Sequence, residues 1–104
     1  MKLTLDENKF DEMQTAFIKE IIMMTKVKLQ EAGLEDEKLE DATAHIAMGV
    51  ASIIDDMTVI ESEGAAVKPY LTFRGDEDDE LIHCGENACT YEFVYGIMKK
   101  LFNR

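Results

Sequence analysis

The chain has no tryptophan, one proline (Pro69), two cysteines (Cys84 and Cys89) and half as many basic as acidic side chains, 11 against 22. Each shortage excludes something. Two thiols are too few for a disulfide scaffold, and in a cytosolic chain they read as free thiols. Six scattered glycines form no phosphate cradle, and P-loop, dinucleotide, H-E-x-x-H and G-x-S-x-G motifs are missing. A net charge of −11 repels phosphate backbones and anionic bilayers, so neither direct nucleic-acid binding nor membrane binding is expected. No apolar run reaches the ~20 residues of a spanning helix; the longest, AFIKEIIMM, is broken by Lys19 and Glu20. The first residues, MKLTLDENKF, lack the apolar core of a signal peptide, which predicts a cytoplasmic protein.

What remains is a chain 46% hydrophobic over 104 residues, which predicts one folded domain spanning 1–104 and excludes a disordered polymer. The acid is unevenly placed: residues 35–64 carry nine acidic side chains and one lysine, and residues 76–80 are all acidic. Such a field favours a basic protein partner and solubility.

Periodicity orders the elements. Asp6 is placed to cap a first helix. Phe10, Met13, Phe17, Ile21 and Met24 fall on one helical face, widened by Ile18, Ile22 and Val27, and Gly33 is a left-handed stop. A second helix starts near Asp36 or Glu37. Leu39, Ala42, Ile46, Val50, Ile53, Met57 and Ile60 form a heptad-like seam that predicts helix to about Glu63, with Gly64 ending it. The period then changes. Val67, Leu71 and Phe73 alternate with polar residues as a strand, Gly75–Asp79 is a polar turn, and Leu81–Cys84 is a return strand. Asn87 is placed to cap a last helix with a stripe of Phe93, Val94, Ile97, Met98 and Leu101, and Lys99, Lys100 and Arg104 suit its negative end. The expected fold is α+β: a long antiparallel helical hairpin, a two-stranded β-hairpin and a C-terminal helix, in the order α-α-β-β-α.

Two helices of about 27 residues are each about 40 Å long. A two-stranded hairpin and one shorter helix cannot cover both, so apolar helix surface is left for a neighbour. A homodimer is the expected one, since closed two-fold pairs are the commonest assembly. The other outcome is a helix that breaks near Gly49.

The stretch RGDEDDELIHCGENAC, residues 74–89, concentrates the reactive side chains. His83, Cys84 and Cys89 are the thiol and polar candidates. H-C-x4-C is not a zinc spacing, and adjacent strand residues point to opposite faces. It is not the C-x-x-C of a redox pair either, although Cys89 near a helix start could be activated. The run GDEDDE lacks the glycine and the terminal glutamate of a calcium loop. No metal and no cofactor is expected. On the second helix, Asp41, His45, Gly49, Ser52 and Asp56 share a stripe that reads as a polar binding groove or as ordinary surface pairs. No catalytic set is assigned. The function these features favour is a non-catalytic protein-interaction module, homodimeric and able to take a basic protein partner. The alternative is a small ligand-binding protein or enzyme with its site near His83 and Cys84.

Overall fold

A computed structural model of the chain describes residues 1–103. The elements are β1 (Lys2–Leu5), α1 (Glu7–Glu31), α2 (Asp36–Ile54), β2 (Glu61–Ser62), β3 (Ala65–Ala66), β4 (Phe73–Arg74), β5 (Glu80–His83) and α3 (Tyr91–Leu101). The expected helical hairpin, sheet and final helix are all present. Asp6 caps α1 by accepting the Lys9 N–H at 3.0 Å. At the other end the chain turns through a Schellman motif: Leu34 N bonds Leu29 O and Gly33 N bonds Gln30 O, both at 3.0 Å, with Gly33 at φ +98°. Glycine enters that left-handed region without the clash a Cβ would meet.

The differences from the sequence reading are local, and each has a cause. α2 runs unbroken through Gly49 but ends at Ile54, not near Glu63. A second Schellman turn stops it: Met57 N bonds Ser52 O at 2.8 Å, Asp56 N bonds Ile53 O at 3.3 Å, and Asp56 takes φ +61°. Asp is among the few residues that tolerate this region, so a stop was encoded there without a glycine. Gly64 does not end a helix. With Glu63 it forms the two-residue turn between β2 and β3, both at positive φ, as a type I′ hairpin requires. The strand expected from Val67 shrinks to Phe73–Arg74. α3 begins at Tyr91 with Thr90 at its cap position, not at Asn87. Arg104 lies outside the described residues.

The sheet has a third strand that the periodicity missed. β1 pairs in parallel with β5, which pairs antiparallel with β4, giving the order β1-β5-β4. β1 is four residues long and its partner lies 78 positions away, so nothing local announced it. β1 leads directly into α1, and this fixes the sheet across the end of the helical hairpin.

Two apolar clusters hold the layers together. Ile18 and Ile22 of α1, Ala47 and Ala51 of α2, and Val94 and Met98 of α3 form one. Phe10, Ile82 and Ala88, flanked by Met13, Ile54, Leu71, Phe73 and Cys84, form the other, between α1 and the sheet. Overall dimensions are 45 × 36 × 21 Å and the radius of gyration is 15.5 Å, against about 13 Å for a spherical domain of this length. The protein is a slab two layers thick.

Candidate functional site

The inside of the helical layer is lined by mostly small or modest side chains on α2 and by larger ones on α1. α2 buries Leu39, Thr43, Ala47 and Ala51, and α1 buries Phe10, Gln14, Ile18 and Ile22. Other large residues of the same apolar stripes lie outside: Phe17 is 38% exposed, Met24 59%, Ile46 42% and Ile53 49%. On each helix these sit roughly 100–160° around the axis from the residues that meet α3, by the 100° step of an α-helix, and Phe17 and Ile53 line one hollow together. They therefore form one strip on the face of the α1–α2 layer turned away from α3. At its sheet end the strip deepens into an apolar groove of about 290 Å3 lined by Phe17, Ile53, Ile54, Pro69, Tyr70 and Leu71. A larger cleft, about 600 Å3, lies between α2 and α3, with Ala44, Val94 and Met98 in its floor and Met48 and Asp41 on its rim.

The polar stripe proposed on α2 does not gather into one groove. Asp41, His45 and Gly49 are exposed, and the Ser52 hydroxyl donates back to Met48 O at 2.8 Å. Asp41 borders the α2–α3 cleft, while Asp56 lies beyond the end of the helix beside a separate hollow at Thr58–Ile60.

The thiol and imidazole candidates also part company. The His83 ring lies with Tyr70, whose hydroxyl is 2.7 Å from Nδ1. Cys84, one residue on, packs against the Phe10–Ile82 cluster, and its thiol donates to Glu86 O at 3.1 Å. Cys89 is held by Gln14: its N–H donates to Gln14 Oε1 at 3.1 Å, and its sulfur accepts from Gln14 Nε2 at 3.6 Å. Both cysteines are free thiols. Among the described residues no three His, Cys, Asp or Glu side chains converge enough to hold a metal ion.

The activation that a helix start could give Cys89 is not what its surroundings produce. Burial, set against the Gln14 hydrogen bond and aided by the nearby charges of Glu92 and Asp11, pushes its thiol pKa up. A raised folded value means the thiol form stabilises the fold below the ordinary cysteine value of about 8.5, and that stability is lost as pH rises through the folded value. In a Cys84→Ala chain, Cys89 is expected to react with a disulfide reagent several-fold more slowly than free cysteine at pH 8. Its rate should catch up only in more alkaline solution. Faster labelling than free cysteine at pH 8 would show an activated thiol instead.

One structurally decisive residue escaped the sequence reading. Asp55, at the end of α2, is 3% exposed and reaches to the start of α3. Its Oδ1 accepts from Thr90 N (2.9 Å) and Thr90 Oγ1 (2.7 Å), and Oδ2 accepts from Tyr91 N (2.9 Å). Thr90 makes no capping bond with its own side chain, so Asp55 supplies the cap from another helix. The available signal was the unpaired N–H groups of α3, which must find an acceptor somewhere.

Charge elsewhere lies on the surface. The turn at 76–79 is exposed, and Asp76 pairs with Lys9 at 2.9 Å. That hydrogen bond raises the lysine pKa and lowers the aspartate pKa, so the pair operates between the usual Asp and Lys values, about pH 4 to 10.5. Glu35, Asp36, Glu37, Asp41, Glu61 and Glu63 are likewise exposed. No helix among the described residues is long and apolar enough to cross a membrane.

Compared with known proteins, the chain matches no protein-family model, no curated protein and no solved structure. Its geometry alone carries a functional reading.

Proposed function

We propose that this chain is a small, cytoplasmic, non-catalytic interaction module that works as a homodimer and takes a basic protein partner on its acidic surface. The observation that carries the proposal is the division of its surface. A strip of large apolar side chains, interrupted on α1 by the exposed Glu20, lies bare on one face, and exposed acids crowd α2's first turn and the 61–63 and 76–79 turns. Two free thiols fit a reducing compartment. The alternative, a ligand or enzyme site near His83 and Cys84, draws less support. Tyr70 and His83 share a hydrogen bond on one side of β5 while Cys84 packs on the other.

The test is salt-dependent capture by the immobilised protein. Basic proteins from lysate should bind at about 0.1 M salt and be released at about 1 M, where the screening length falls from ~10 to ~3 Å. A chain with Asp36→Lys and Glu37→Lys should retain severalfold less. Capture that is unchanged by salt and by the substitutions, or empty throughout, would remove the basic partner from this reading.

A further inference from the structure

The bare strip of the α1–α2 layer admits a more specific statement, which rests on the dimeric half of the function proposed above. We infer that its occupant is the same strip of a second copy, related by a two-fold axis, so that two helical hairpins close into a four-helix layer. α3 and the sheet then form the outer layers on either side.

Area is the first argument. Phe17, Met24, Val27, Ile46, Ile53 and Tyr70 are between 38% and 59% exposed. Half of six side chains that each present roughly 150–250 Å2 when fully open is on the order of 500 Å2. A dimer interface of standard size buries about 800 Å2 per partner, roughly two-thirds of it apolar. The strip therefore supplies the apolar share that one such interface needs. A bare patch this large also sits at the upper end for a monomer.

Shape is the second. The helical layer packs α3 against one face, and on the other face only Phe73 and the 69–71 segment reach it, at its sheet end. Helix pairs pack 8–10 Å apart on a near-parallel face. An antiparallel hairpin is matched by a rotated copy of itself, as in a four-helix bundle. Gly49 and Ala16 on this face are exposed and small, and a Cβ built at Gly49 meets nothing within 4 Å, so neither position adds bulk against close approach.

Charge is the third. Each copy carries −11, so two copies repel through solution while the strip attracts at contact. Added salt screens the repulsion and strengthens apolar burial. Dimerisation should therefore tighten with salt, opposite in sign to capture of a basic partner.

Light scattering over micromolar to millimolar protein tests this. The expected mass is twice the chain's 11.8 kDa, with the dimer favoured as salt rises. Ile46→Glu with Ile53→Glu should weaken association at least a hundredfold and leave the circular dichroism unchanged. Val59→Glu, at a residue 88% exposed and beyond the end of α2, should leave the dimer intact. A particle of single-chain mass at every concentration would overturn the inference, as would a dimer indifferent to the double substitution or dissolved by salt. In each of those cases, salt-sensitive capture of basic proteins would still stand as a separate result, so the loss of this interface would not be confused with loss of the interaction module.

Discussion

Asp55→Ala is expected to destabilise the fold by about 3 kcal/mol, because three donors lose their acceptor in a place water does not reach. Bonds to a charged group contribute roughly 1.5–3 kcal/mol each, and orphaned buried donors cost about 1–3 kcal/mol. These terms are not additive, and a lost helix cap alone is typically ~1 kcal/mol. The burial of the carboxylate is tolerable in the native state because it faces the positive end of α3 and accepts both leading N–H groups. Asp55→Asn keeps the oxygen that serves Thr90 but turns an NH2 toward the Tyr91 N–H, so an intermediate loss of about 1–2 kcal/mol is expected. Thr90→Ala removes one bond of the three. Urea unfolding of the two singles and the double gives the coupling. If Asp55 is the cap of α3, the Asp55→Ala and Thr90→Ala losses will not sum, because they share a bond. An Asp55→Ala loss below about 0.5 kcal/mol, the size of an ordinary surface change, would refute this role.

The second large effect is at Phe10. It is wholly buried, with its ring 5.3 Å from that of Phe73 at a tilted angle. It joins the helical hairpin to the sheet through Ile82 and Ala88. Phe10→Ala is expected to cost about 3–5 kcal/mol, much of the 5–15 kcal/mol that a domain of this kind has in total. Strands of two to four residues do not persist without a packed face. Amide protection along Glu80–His83 should therefore fall most. Phe10→Leu keeps most of the volume and should cost less than about 1.5 kcal/mol, which keeps the test readable if the alanine chain does not fold. Phe17→Ala, about two turns away and 38% exposed, is expected to cost much less in the isolated chain. Equal losses at Phe10 and Phe17 would contradict the placement of the core.

The contrast between those two phenylalanines shows how far periodicity reads. Both lie in the apolar stripe of α1, and the spacing alone marks them as equivalent. What separates them is where α2, α3 and the sheet come to rest. The same holds on α2, where Ile46 and Ile53 carry the seam but Ala47 and Ala51 fill the interior. Small residues permit close approach of neighbouring helices. They do so against α1 and α3, which leaves the bulky ones outside.

The candidate polar sites were less legible. His83 and Cys84 were placed on opposite sides of a strand by the alternation of side chains, and they lie so. The stripe from Asp41 to Asp56 was drawn on a helix assumed to continue, and a stop at Asp56 removes its last member. Asp55 and Asp56 are neighbours in sequence with different roles. One is a buried helix cap and the other a left-handed turn residue.

By itself the sequence determined the helical hairpin, the strand-turn-strand unit, the final helix, the acidic surface, and the absence of nucleotide and zinc-protease signatures. These follow from local spacing and from charge counts, which depend on neighbours a few positions apart. Only the tertiary structure decided the parallel pairing of Lys2–Leu5 with β5, the capping of α3 by Asp55, and which half of each apolar stripe is covered. The first two depend on contacts between residues 78 and 35 positions apart and the third on packing between separate helices, and no repeat or propensity within a helix or strand encodes which distant surface will arrive to meet it.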